Sequence, residues 1–169
     1  MKLNHLILLI PLVAACIAYA NCLSTEFIFD DWSASAGNEV IVHGEPWEWL
    51  WKTPDHTTVS GRPAAQWTFA LNYFLFKENA QAYRAFNLII HLGNTCLILL
   101  IFNHVLPLIS SKRQRFAWIA IIPATLWSIH PLTTSAVTNL VQRAESQAVF
   151  LYLIAFLSSV YWLQERKTK

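Results

Sequence analysis

Long apolar stretches alternate with short polar ones along this chain of 169 residues. Four of the apolar stretches are candidates for membrane-spanning helices: residues 6–23, 85–109, 116–129 and 147–163. The first is uncharged over about 27 Å of helix at ~1.5 Å per residue, which suits the hydrocarbon core of a bilayer. The third is the shortest and contains Pro123, so neighbouring groups must satisfy the carbonyl that the proline leaves free. The pattern predicts an all-α, polytopic membrane protein, with residues 1–169 forming a single membrane domain.

The first apolar stretch has two other interpretations. Ala18-Tyr19-Ala20 resembles a signal-peptidase site, and residues 13–16 resemble a lipoprotein cleavage box. However, Lys2 is the only lysine or arginine before the stretch, and the apolar residues continue past both sites. Both facts favour an uncleaved membrane anchor.

The lysines and arginines predict how these helices are oriented. Seven of the twelve lie before the first span, between the second and third, or after the fourth. If both termini are cytoplasmic, all seven obey the positive-inside rule and nine of the ten acidic residues face outward. The outer side then carries a large loop, residues 24–84, and a small loop, residues 130–146. The predicted location is a bacterial inner membrane.

Composition argues against several other classes of protein. Hydrophobic residues make up 55% of the chain and charged residues 13%, whereas ordinary soluble domains carry about 25% charged residues. The net charge of +2, without a basic patch, argues against a nucleic-acid partner. The three cysteines lack metal-ligand spacing, and no glycine-rich phosphate loop or nucleophile motif is present. We predict no metal site.

Two adjacent carboxylates follow the first span, in the run Phe27-Ile28-Phe29-Asp30-Asp31-Trp32. A carboxylate held near the bilayer among aromatic residues is partly desolvated, which raises its pKa and suits a general base. Asp31 and Asp30 are therefore candidate catalytic residues. A helix cap or an ion pair explains the same two residues without catalysis.

An interfacial helix is predicted later in the large loop. Residues 64–76 are apolar on most faces and too short to span, and Pro63 suits the first helical position. Arg62 precedes this helix, and Arg84 precedes the second span. Paired N–H donors of these arginines could clamp a phosphate, and contact with lipid headgroups explains them equally well.

The small outer loop begins at His130-Pro131 and continues into a short predicted helix with Arg143 and Glu145. These two side chains could act together with the aspartates of the large loop, although a local ion pair is the simpler interpretation. Within the second span, His91 and Asn94 are three residues apart and share a face, which predicts a hydrogen bond between helices.

Taken in order, these motifs resemble a known family. The transmembrane O-mannosyltransferases that glycosylate cadherins, and their bacterial relatives, carry a similar series in their amino-terminal part. They belong to the GT-C superfamily, multi-span glycosyltransferases that use lipid-linked sugars. The motifs that carry the resemblance are Phe29-Asp30-Asp31, Arg62-Pro63, the Trp67–Asn72 run, Phe86–Asn94, Leu126–Pro131 and Val141–Glu145.

The resemblance implies a mechanism. A sugar on a polyprenyl phosphate enters from the outer leaflet of the bilayer. Asp31 or Asp30 deprotonates a hydroxyl group of a protein or glycan acceptor, and this hydroxyl displaces the lipid phosphate. No cofactor is implied with certainty, and a divalent metal is compatible with this chemistry without being required. The resemblance also assigns five residues to binding of the lipid phosphate or the acceptor: Arg62, Arg84, Arg143, Glu145 and His130.

Two functions follow from this reading. The family has more spans than the four predicted here, so the chain is expected to be the catalytic-loop part of a glycosyltransferase. It would be a truncated copy, or one subunit of a split enzyme whose second membrane chain supplies the missing spans. The alternative is a non-catalytic membrane module that binds a polyprenyl lipid or docks on a larger glycosyltransferase.

The predicted orientation can be tested by cysteine labelling. In a variant without native cysteines, Ser33→Cys lies beside the two aspartates, and we expect a membrane-impermeant maleimide to label it in intact cells. The matched control Ser111→Cys, between the second and third spans, should react only after permeabilisation. Labelling of position 33 only after permeabilisation would contradict the orientation.

Overall fold

The computed structural model describes residues 5–109 and 116–168, and these ranges are helical, with no β-strand in either. Short 3-10 turns extend or join several of the helices, as at His5–Leu9 and Ala20–Ser24 on either side of the first. The predicted all-α class is confirmed. In chain order the α-helices of the described ranges are α1 (Ile10–Tyr19), α2 (Asp31–Ala34), α3 (Glu39–His43), α4 (Pro63–Phe76), α5 (Ala80–Ile109), α6 (Phe116–Ser128), α7 (Thr134–Thr138) and α8 (Arg143–Thr168).

Within the described residues, three helical segments are long and apolar enough to cross a membrane: Ile7–Ser24, Ala80–Leu106 and Leu140–Arg166. They correspond to the first, second and fourth predicted spans. The third corresponds to α6, whose 13 residues give about 20 Å at ~1.5 Å per residue. A fourth crossing therefore stays a prediction. The basic link at residues 110–115, on which the orientation partly rests, lies outside the described residues.

Helix α5 is the central element, since it packs against α1, α6, α7 and α8. Gly93 permits its close approach to α8: a Cβ atom there would lie 2.9 Å from Cε2 of Phe150. At the end of the bundle that contacts α7, Ala15 and Tyr19 of α1 pack against Leu88 of α5 and Val137 of α7. Farther along, Leu99 of α5 packs against apolar residues of α6.

The large outer loop folds into a compact cap, which we define as residues 25–79. Its apolar core also takes in Tyr83 from α5 and Leu140 from the second outer loop, so the cap is packed onto the helical bundle. Helix α4 confirms the helix predicted at residues 64–76. One face of it, including Phe69 and Ala70, is buried in the cap, while Trp67 and Phe74 are exposed.

Two helix boundaries differ from the prediction in a way that matters for the site. Helix α5 begins at Ala80 instead of residue 85, and α8 begins at Arg143 instead of residue 147. Arg84 and Arg143 thus belong to long helices and not to the loops. The apolar pattern does not predict these boundaries, because charged residues precede both apolar stretches in the sequence. In the fold both arginines are buried and donate hydrogen bonds to protein groups.

Candidate functional site

Asp30 and Asp31 point into different environments. The backbone of Phe29 is left-handed, with a φ of 49°, which is uncommon for a bulky residue, and its side chain is 97% exposed. Two hydrogen bonds hold this turn: the Asp31 amide donates to the Ile28 carbonyl at 3.0 Å, and the Ile28 amide donates to Asp31 Oδ2 at 3.3 Å. As a result Asp31 is buried at the start of α2, whereas Asp30 is exposed.

Both carboxylate oxygens of Asp31 are occupied. Oδ1 accepts the Leu140 amide at 2.9 Å, and Oδ2 lies 3.5 Å from Nη2 of Arg84 in addition to accepting the Ile28 amide. Burial raises the pKa of Asp31, although the amides and the Arg84 charge act in the opposite direction. The carboxylate therefore joins the first outer loop, the second outer loop and α5.

Arg84 completes this junction and is itself fully buried. Its two terminal nitrogens donate to the carbonyls of Thr25 and Glu26, and Nη2 also faces Asp31. Nε is buried without a hydrogen-bond partner among the described residues. The guanidinium is enclosed in the structure, where it forms an ion pair with Asp31. The phosphate contact predicted for Arg84 stays a prediction.

Arg143 is also fully buried, and every one of its nitrogens is used. Nε donates to Asn87 Oδ1 at 2.7 Å, Nη1 to Asn72 Oδ1 at 2.6 Å and Nη2 to the Tyr83 carbonyl at 2.9 Å. The guanidinium carbon lies 4.1 Å from the ring centroid of Phe69. Arg143 thus holds α8, α5 and α4 together through three hydrogen bonds. The phosphate or acceptor contact predicted for it stays a prediction.

Arg62 and Glu145 form an exposed ion pair, with 3.0 Å between Nη2 and Oε1. Such a pair is weak in solvent and can be exchanged for another ligand. It adjoins an apolar cavity of about 410 Å³ between α4 and α8, whose lining includes Pro63, Trp67 and Phe150. Of the three predicted arginines, this one keeps an accessible guanidinium beside an apolar surface.

The remaining predicted residue, His130, is exposed and serves locally as a cap. Its Nδ1 accepts the Leu132 amide at 3.2 Å at the start of the turn Pro131–Thr133. In the part of the chain that the structure describes, no three His, Cys, Asp or Glu side chains lie close enough together to hold a metal ion.

Sequence reasoning missed the side chains that accept hydrogen bonds from the buried Arg143. Asn72 and Asn87 are the side-chain acceptors for Arg143, and the signal for them was an uncharged amide in an otherwise apolar helix. The bond predicted for His91 and Asn94 between helices is present. His91 Nε2 pairs with the Ser128 carbonyl of α6 at 2.8 Å, and Asn94 Nδ2 donates to the Ser146 carbonyl of α8 at 3.1 Å.

The coupling of the buried pair can be measured with a double-mutant cycle. We expect Asp31→Asn and Arg84→Gln each to lower the free energy of unfolding by about 3–5 kcal/mol, because each leaves an uncompensated buried group. The double variant should lose less than the sum of the two. The exposed pair is the matched control: Arg62→Gln and Glu145→Gln should each cost no more than about 1 kcal/mol. Detergent-solubilised protein denatured with SDS gives these values, and additive losses at Asp31 and Arg84 would contradict the coupling.

The chain is similar over most of its length to protein O-mannosyl-transferases. It is 33% identical over 154 residues to human Protein O-mannosyl-transferase TMTC1 and 35% identical over 159 residues to mouse Protein O-mannosyl-transferase TMTC3. These matches cover 86% and 89% of this chain, but 17% and 16% of the relatives, so the chain spans about a sixth of their length. No family model and no solved structure matches it. The chain is thus homologous, over most of its own length, to part of the TMTC family of protein O-mannosyl-transferases.

Proposed function

We propose that this integral membrane protein supplies the catalytic loop of a glycosyltransferase. The enzyme moves a sugar, by the names of its relatives a mannose, from a polyprenyl-phosphate donor to a hydroxyl group of a protein or glycan on the outer face. Three helices long and apolar enough to span a bilayer, counted among the described residues, support the membrane location. The observation that carries the proposal is the difference between the two aspartates. Asp31 is buried and paired, whereas the side chain of Asp30 is exposed and makes no hydrogen bond to another described residue.

Asp30 is the proposed general base. A base must come within hydrogen-bond reach of the proton it removes, and Asp30 is exposed at the start of α2. Its side chain makes no capping hydrogen bond to that helix. Burial raises the pKa of Asp31 above the ordinary value of an aspartate, but its oxygens are already occupied. We therefore assign Asp31 to positioning: it anchors the turn that presents Asp30.

The apolar cavity between α4 and α8 is the proposed site for the lipid chain next to the sugar phosphate. Its lining is largely hydrophobic, and its volume of about 410 Å³ is typical of small-ligand sites, which span about 300–1,000 Å³. Arg62 directly precedes Pro63 of this lining, so its guanidinium can exchange Glu145 for a phosphate oxygen. Paired N–H donors then bind two oxygens of the phosphate.

The reaction follows from these two groups. The acceptor oxygen attacks the anomeric carbon of the donor while its proton passes to the Asp30 carboxylate. The bond from the anomeric carbon to the phosphate oxygen breaks, and the lipid phosphate leaves with the bonding electrons. Arg62 stabilises the negative charge that develops on this phosphate, which is where a preorganised cation lowers the barrier most.

Several further features belong to the same proposal. Both termini face the cytoplasm, so the cap and Asp30 lie outside a bacterial inner membrane. A second membrane chain is the proposed partner that completes the groove. His130 lies at the outer surface, available to the acceptor. We leave a divalent metal as compatible with the reaction.

The role of Asp30 is tested by its removal. We expect Asp30→Asn to reduce sugar transfer about 10²–10⁴-fold, the usual contribution of a general base, without changing the melting temperature. Asp55→Asn is the matched control, since Asp55 is an exposed acid elsewhere in the cap. Transfer is measured in membranes from radiolabelled polyprenyl-phosphate hexose to an acceptor, with co-purifying chains retained.

The two functions give different results in this experiment. If the wild-type preparation transfers sugar and Asp30→Asn does so equally well, Asp30 is not the base. If the wild-type preparation binds the donor yet transfers no sugar, the non-catalytic module is supported and the catalytic proposal fails.

The role of Arg62 is tested separately by binding. Arg62→Gln should weaken the binding of polyprenyl phosphate roughly 10-fold, as expected for loss of a charge-assisted hydrogen bond of about 1.5 kcal/mol. Lys52→Gln is the control, because Lys52 is likewise exposed and paired with a glutamate, Glu48, at 3.3 Å. Equal binding by the two variants would remove Arg62 from the phosphate site.

A further inference from the structure

A second cavity of about 330 Å³ lies where α5, α6 and α8 meet the second outer loop. It differs from the apolar cavity in position and in lining. Its polar and aromatic lining residues include Asn94, Trp127, Ser135, Gln142 and Glu145. Glu145 is the one residue of this lining that the family resemblance or the proposed chemistry uses.

A buried amide with one unpaired atom belongs to this lining. Asn94 is 2% exposed, and its Nδ2 donates to the Ser146 carbonyl at 3.1 Å. Its Oδ1 has no hydrogen-bond partner among the described residues. Buried polar atoms are nearly always paired, so a donor from a ligand or from water is expected here.

Some of the other lining groups are held in place by packing, and others make no side-chain hydrogen bond to a described residue. The ring of Trp127 stacks on His91, with 4.9 Å between centroids and an angle of 16° between the planes, and His91 is fixed by the Ser128 carbonyl. The side chains of Ser135 and Gln142 make no hydrogen bond to another residue that the structure describes. The cavity thus combines a fixed aromatic wall with free amide and hydroxyl groups.

This combination selects one class of ligand. An anion is disfavoured, because the lining contains the carboxylate of Glu145 and no lysine or arginine. A lipid chain is disfavoured, because it would leave the amides unpaired. A ring with many hydroxyl groups satisfies both kinds of wall, since its hydroxyls pair with amides and carboxylate while its C–H face packs on an aromatic ring.

We infer that this cavity binds the hexosyl group of the lipid-linked donor, an inference that rests on the proposed function. Glu145 links the two sites: it lines this cavity, and it pairs with Arg62 beside the apolar one. A donor with its chain between α4 and α8 and its phosphate at Arg62 therefore carries its sugar toward this cavity. Gln142, Ser135 and Asn94 then determine which sugar is accepted.

The experiment compares two probes, polyprenyl phosphate with and without a hexose, by microscale thermophoresis on the detergent-solubilised chain with co-purifying chains retained. The wild type should bind the hexose-bearing probe about 10-fold more tightly, the gain from one or two further hydrogen bonds. Gln142→Leu should abolish this difference and leave the affinity for the bare phosphate unchanged, which also reports correct folding. Gln81→Leu is the matched control, since Gln81 is exposed on α5 ten residues before His91, and it should keep the difference.

Each outcome decides the matter. Equal wild-type affinity for the two probes, or a full difference in both Gln142→Leu and Ser135→Val, overturns the hexose site and leaves the lipid donor in place; the cavity then holds water. Loss of the difference on adding a serine-containing acceptor peptide, with bare phosphate still bound, assigns the cavity to the acceptor and also overturns it. Binding of neither probe overturns the proposed function itself, and this inference with it.

Discussion

The carboxylate of Asp31 and the guanidinium of Arg84 are enclosed together, and the arrangement of the outer face depends on this pair. Removing two charges from water is costly, so the geometry persists only if both are hydrogen-bonded as well as paired. The amides of Ile28 and Leu140 and the carbonyls of Thr25 and Glu26 supply those bonds. These partners come from two separate stretches of chain, residues 25–28 and Leu140, and the ion pair keeps both in register with α5.

A second buried charge organises the other side of the cap. Arg143 holds Asn72 of α4 and Asn87 of α5 while its guanidinium stacks on aromatic rings. The first outer loop is thus a folded unit attached to the bundle at two cationic points. In the proposed function this attachment matters because Asp30 directly precedes the anchored Asp31, and a catalytic group requires a well-held scaffold.

The face of the protein that carries the cap accordingly separates buried charges from exposed ones. Buried charges provide structure, while the exposed charges of Asp30, Arg62 and Glu145 remain available to ligands. Glu145 lines the cavity that contains the amides of Asn94 and Gln142, and its partner Arg62 directly precedes Pro63 of the apolar cavity. These two cavities match the proposed donor, which is lipid at one end and sugar at the other. In this proposal the ion pair between Arg62 and Glu145 lies where the lipid end of the donor meets its sugar end.

The sequence by itself determined the all-α class, the apolar segments, the helix after Pro63 and the kinship with O-mannosyl-transferases, because these depend on local composition and on motif order. It also marked Asp30, Asp31 and the arginines as unusual. Only the tertiary structure decided which of them are buried, because burial depends on contacts between distant parts of the chain. Asp31 and Arg84, which pair with each other, are 53 positions apart. A charge in an apolar helix looks the same in the sequence whether it faces a ligand or a buried partner. The fold distinguishes the two cases. A buried charge has protein groups that replace its hydrogen bonds to water, and a charge that faces a ligand does not.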